Sequence, residues 1–207
     1  MGVISNGTTL LDAGALDSGV PTGAMTLIKT LTASSSATLD FLNGASSVVF
    51  DDTYKEYLFK FINIHPATDV RNLTFQVDTG TNTNYNQTMT TTQFNAQANE
   101  ADDSTGLGYN ASGDQAQGSA FQSIMDRVGN DADSCVVGTL TIFSPASTAL
   151  VKHFTATANE LIASDQTYNL FCAGYFNQTA ALTRVRFKMS SGNIDSGTIK
   201  MYGVYSG

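Results

Sequence analysis

The chain has no tryptophan, 3 prolines, 2 cysteines and 2 histidines, and only 14% of its 207 residues are charged. Each scarcity removes a class of chemistry. Two histidines and 2 cysteines leave little material for nucleophile–base pairs or metal centres, so an enzyme is not expected. Acidic residues outnumber basic ones 18 to 10, a net charge of −8. Such a balance repels phosphate backbones and argues against a nucleic-acid partner. No apolar run is long enough to span a bilayer, so no membrane partner is expected. Met1-Gly2-Val3-Ile4-Ser5-Asn6 lacks basic residues followed by a long apolar run and reads as no secretory signal. Asn6 also stands where a myristoylation site wants Ser or Thr.

With so little charge, solubility rests on Thr, Ser, Asn, Gln and Gly. Hydroxyl and amide side chains compete with helical backbone hydrogen bonds and favour strands and turns. The apolar content of 42% is too high and too evenly spread for a disordered chain. One all-β domain with a short arm fits the length.

Residues 1–24 read as an extended N-terminal arm of small residues, turn formers and isolated apolar pairs, with glycines and a proline that oppose a helix. Val3, Ile4, Leu10, Leu11 and Leu16 are too few and too glycine-spaced to fold alone. They are the candidate partner-binding residues of the arm, which would anchor the protein.

Residues 25–207 read as an antiparallel β-sandwich of jelly-roll type. Short strands are expected at 26–32, 37–41, 54–64, 73–78, 119–125, 135–143, 150–158, 168–175, 184–189 and 197–204. Turn signals such as Asn43-Gly44 and Ser191-Gly192-Asn193 separate them. Tyr54–Ile64 is the clearest strand, although Tyr57, Phe59, Phe61 and then Ile62 or Ile64 alternate imperfectly with Lys60 and Asn63. Leu73–Asp78 alternates strictly. In residues 79–118, Tyr85, Met89, Phe94, Leu107 and Tyr109 are spaced too widely for a core face. That segment reads as a long polar loop region with a ragged strand or two, as at 85–92.

No catalytic, cofactor-binding or metal-binding residue is assigned. There is no Gly-x-Ser-x-Gly elbow, His-Glu-x-x-His or Cys-x-x-Cys. His65 and His153 read as strand-end and strand-face residues. Cys135 and Cys172 lie in apolar runs and read as buried thiols rather than a bridge. Asn130-Asp131-Ala132-Asp133-Ser134 alternates oxygen side chains as calcium loops do. The required glycine and distal Glu do not follow, and a solvated turn explains the same residues. Tyr85, Phe94, Tyr109 and Tyr175 sit among amides. Such aromatics either stack on sugar rings, with the amides bonding hydroxyls, or cover an end of the sandwich or pack on a sister subunit, and the second reading is favoured.

Several runs carry a family likeness: Thr32–Phe41, Tyr54–Thr68, Val151-Lys152-His153-Phe154, Lys188–Asn193 and the closing Ser196-Gly197-Thr198-Ile199-Lys200-Met201-Tyr202-Gly203-Val204. Together they resemble virion proteins of tailed bacteriophages, of the kind seen in aquatic phages. The likeness covers most of residues 1–207, and Gly-Thr-Ile-Lys-x-Tyr-Gly is its most specific piece. It implies a non-enzymatic jelly-roll accessory module on the virion exterior, assembled in the host bacterial cytoplasm with phage capsid or other virion proteins as partners. The leading expectation is a capsid decoration or cement protein held by its arm. The alternative is a head- or tail-fibre module that binds host surface glycans. A homotrimer is expected, because closed symmetry suits three-fold sites of a shell.

Overall fold

The computed structural model describes residues 2–5, 8–12, 15–16 and 25–205, and every regular element among them is a strand. In chain order these are β1 (Val3–Ser5), β2 (Thr8–Asp12), β3 (Ala15–Leu16), β4 (Met25–Thr32), β5 (Leu39–Leu42), β6 (Glu56–Pro66), β7 (Leu73–Thr79) and β8 (Met89–Asn99). There follow β9 (Thr105–Tyr109), β10 (Gln122–Ser123), β11 (Val136–Phe143), β12 (Lys152–Ile162), β13 (Gln166–Phe176), β14 (Leu182–Met189) and β15 (Ile194–Val204).

Strand β6 shows how sequence becomes register. Tyr57, Phe59 and Phe61 point inward and are buried, while Lys60 points out. At Asn63 the backbone turns left-handed (φ 50°) and the pairing with both β11 and β15 slips. This is a β-bulge, which inserts one unpaired residue. The next buried residues are therefore Ile64 and Pro66. The imperfect alternation of the sequence is one extra residue in an otherwise regular strand. Across from it Gly197 has φ 110°, and a Cβ there would stand 2.5 Å from the Asn63 carbonyl, so the bulge requires glycine.

Two antiparallel sheets face each other as a β-sandwich. The larger has the order β4-β15-β6-β11-β12-β13-β8-β9 and the smaller β10-β7-β14-β5, an arrangement compatible with a jelly roll. Between them lies an aromatic core. Phe41 meets Phe59 edge-on at 5.2 Å, and Phe75 meets Phe154 edge-on at 5.0 Å. Phe61 and Phe187 pack likewise at 5.4 Å. Edge-to-face contact aligns ring edges with ring faces of opposite partial charge.

The outer face of β7 is not solvated, and the outward residues of β14 and β5 beside it are half-buried. All of Leu73–Asp78 is buried, the polar partners as well as the apolar ones. Leu73, Phe75 and Val77 enter the core, while Thr74, Gln76 and Asp78 lie beneath segments 80–88 and 110–121. Gln76 Nε2 donates to the carbonyls of Gln87, Ser119 and Ala120. The Asp78 carboxylate accepts from Tyr85 N and Gln87 Nε2. Outward cations of β14 fix the aromatics of this cover. The Arg186 guanidinium stands 4.0 Å from the Tyr85 ring centroid, and Lys188 Nζ stands 4.6 Å from that of Phe121. Arg186 also makes two 2.7 Å bonds to Asp40.

The segment 79–118 is thus more ordered than a polar loop region. It contains β9 and the whole of β8, an eleven-residue strand paired along its length with β13. The inward residues of β8 are Met89, Thr91 and Gln93, all buried. Two of the three are polar because they face the amide-rich cover, which hid their period. In residues 1–24, the described parts form a separate three-stranded antiparallel sheet, β1-β2-β3, rather than one extended stretch. Val3, Leu11 and Leu16 stand abreast across it.

Candidate functional site

Alternation along four neighbouring strands produces a surface without formal charge. Outward positions on β8, β13, β12 and β11 lie in cross-strand rows. Thr92, Ala173, Thr155 and Thr141 form one row, and Phe94, Phe171, Thr157 and Thr139 the next. From Thr90 to Ala98, Thr167 to Tyr175, His153 to Leu161 and Val137 to Phe143, no outward position is Asp, Glu, Lys or Arg. A solvated strand face normally carries some of these, and depletion of charge marks the centre of protein interfaces. Phe94, 43% exposed, stacks on Phe171 with centroids 4.7 Å apart and planes 8° from parallel. His153 packs on Tyr175 at 5.8 Å. Adjoining troughs of about 390 and 210 Å³ flank these pairs, with Thr92, Thr155 and Ala173 lining both.

A second feature lies where the cover meets β7 and β8. It is a pocket of about 330 Å³ lined by hydroxyl, amide and carboxylate groups with one aromatic, Phe121. Two fully buried amides shape it. Gln93 Nε2 donates to the Ser123 carbonyl at 2.9 Å, and its Oε1 accepts from Asn110 Nδ2 at 3.1 Å. Gln122 Nε2 donates to the Gly113 carbonyl at 2.7 Å. A Cβ on Gly113 would fall 1.6 Å from Gln93 Oε1, so this close approach needs glycine.

The four candidate aromatics separate. Tyr85 is not a surface residue: it is 3% exposed, because Arg186 covers its ring and Asp78 holds its backbone. Phe94 and Tyr175 share the uncharged face. Tyr109, 58% exposed on the edge strand β9, donates its hydroxyl to Asp114 at the pocket wall. That bond to a carboxylate pushes the Tyr109 hydroxyl pKa up. In the arm, Val3 and Ile4 are 53% and 64% exposed.

Several titratable groups elsewhere are engaged in holding the fold. His65 Nε2 donates to the Asp131 carbonyl at 3.1 Å, and Asn130 N donates to Asp69 Oδ1 at 3.1 Å, so protein groups tie down the Asn130–Ser134 turn. Among the described residues no group of three or more His, Cys, Asp or Glu gathers as an ion would need. Cys135 and Cys172 are free thiols, and burial pushes Cys172 up to about 12. Glu160 is fully buried, and desolvation drives its carboxyl well above the usual range despite a 2.8 Å bond from Asp126 N.

Comparison of the chain with family models, curated proteins and solved structures gives no match.

Neither surface was read directly from the sequence. The uncharged face had a signal in Thr155-Ala156-Thr157-Ala158-Asn159, a polar but uncharged alternation whose meaning depends on neighbouring strands. The pocket draws on residues from Asn72 to Ser190, a span that no local motif connects.

Proposed function

We propose that this chain is a non-enzymatic structural protein of a bacteriophage virion, a capsid decoration or cement protein that docks through the uncharged face of its larger sheet. The carrying observation is that face. Across four strands, a protein of net charge −8 presents threonine, alanine and aromatic side chains and no formal charge. Burying such a surface against a shell subunit gains about 25 cal/mol per Å² of apolar area, before the costs of association. No ion needs to be desolvated at its centre. The exposed Val3 and Ile4 of the arm offer a second attachment point, and two linked contacts bind far more tightly than either alone. The resemblance to tailed-phage virion proteins points the same way.

The test is charge insertion. Thr155 and Thr157 are exposed strand residues, so the variant Thr155→Lys with Thr157→Lys is expected to fold and melt like the parent. It is expected to lose co-sedimentation with virions stripped of this protein. Undiminished binding by a folded double variant would contradict docking through this face.

A further inference from the structure

We propose that the pocket between β7, β8 and the 110–126 segment binds a neutral saccharide. The proposal does not depend on the virion reading, because its site lies away from the uncharged face.

The chemistry of the lining selects the ligand. Asp114 and Asp126 offer carboxylate acceptors, while Asn72, Asn110, Ser112 and Ser190 offer amides and hydroxyls. Vicinal hydroxyls of a sugar donate to carboxylates and accept from amides, so a wall with both senses of hydrogen bonding suits them. No Lys, Arg or His lines the pocket. A phosphate or carboxylate ligand would face the carboxylates of Asp114 and Asp126, the second of which has Arg127 4.0 Å away, with no cation in the lining itself to bind it. Phe121 gives the apolar wall on which the C–H face of a sugar ring packs. Lys188 already occupies a face of Phe121, 4.6 Å from the centroid, which disfavours a second cation and so an amine ligand. The volume of about 330 Å³ falls at the small end of ligand pockets, near the scale of one or two sugar units.

The pocket is also pre-organised. Gln93 and Gln122, both fully buried, hold the 110–123 backbone from below. Gln115 N donates to Thr91 Oγ1 at 2.8 Å, fixing the far wall. A wall already ordered loses little entropy on binding. Gln115 Nε2 also donates to the Ala120 carbonyl at 3.1 Å and to Gln122 Oε1 at 3.1 Å, which braces the same wall.

The probes are glucose, galactose, mannose, rhamnose and N-acetylglucosamine, each titrated into the full chain by saturation-transfer NMR, with spermidine as the amine control. At least one sugar is expected to saturate with a Kd of about 10 mM or tighter. Asp114→Ala and Asp126→Ala are each expected to weaken it at least about tenfold, since bonds to charged acceptors are the strong ones. Phe94→Ala, on the other face, should bind like the parent. Thermal melts that match the parent's certify the fold of each variant. Failure of every sugar to saturate in that range, binding untouched by both Asp variants, or saturation by spermidine alone would overturn the proposal.

Discussion

Glu160 sits in β12 with its side chain inside the sandwich, where it is 1% exposed and one carboxyl oxygen has no hydrogen-bond partner. Desolvation, with the nearby Asp126, raises its folded pKa far above the ordinary 4.5, outweighing the Asp126 N–H bond and Arg127. The native state therefore keeps a proton that the unfolded chain loses near pH 4.5. Stability falls as pH rises from there to the folded pKa, and the loss is complete above it. Glu160→Gln keeps an acceptor for Asp126 N and carries no charge. We expect it to be more stable than the parent in urea denaturation at pH 8, where the buried carboxyl must either ionise or hold a proton against the solution. At pH 4 the difference should largely vanish, and an equal gain at both pH values would refute this reading. Cys172 gives a second check at this scale. With its thiol held near 12 by burial, it should resist an aromatic disulfide reagent at pH 8 in the native state and react after unfolding. Single residues were the least legible scale in the sequence. Tyr85 and Phe94 look alike among their amides, yet one is pinned under Arg186 and the other stands on the surface. The cation that decides this lies 101 positions further along the chain from Tyr85 to Arg186.

Strands were the most legible elements, and the exceptions have one cause. Period-two patterns mark a strand when one face meets an apolar core and the other meets water. That holds for β12, whose burial alternates from Lys152 to Glu160. It fails for β7 and β8, whose polar residues are also buried because a third layer of chain lies over them. Strict alternation in Leu73–Asp78 suggested one wet face, and the amide-rich cover makes it dry. Gln76 is the main tie between that cover and the sheet: three carbonyls gather around its amide nitrogen and share its two N–H groups. Gln76→Leu should therefore leave the Gln87 and Ser119 carbonyls short of a donor, while Gln115 Nε2 still serves Ala120, and cost about 1–3 kcal/mol in urea denaturation. Limited proteolysis should then cut first within 80–88 or 115–121. Parent-like stability together with an uncut cover would show that these bonds are dispensable.

At the scale of the molecule, the sandwich is a stiff platform with different chemistry on its two outer sides. The smaller sheet is covered, polar and pocketed; the larger is open and uncharged across four strands. All-β class and antiparallel pairing followed from hydroxyl-rich composition and turn spacing. The uncharged face did not, because it exists only after β8, β13, β12 and β11 are placed side by side. If that face and the arm dock on a shell, deletion of residues 1–24 should leave a sandwich with the parent's melting behaviour and much weaker particle binding. Normal incorporation of the truncated chain would remove the arm from the mechanism. Closed symmetry on a shell further leads us to expect a trimer by light scattering, and a monomer at all working concentrations would count against it. The most direct measurement is a reconstruction of the virion that resolves this chain. We expect it on the outer surface of the capsid in many copies, with Phe94, Thr155 and Phe171 turned toward the shell. A chain found in a few copies at a fibre, with those three residues facing solvent, would contradict the decoration reading.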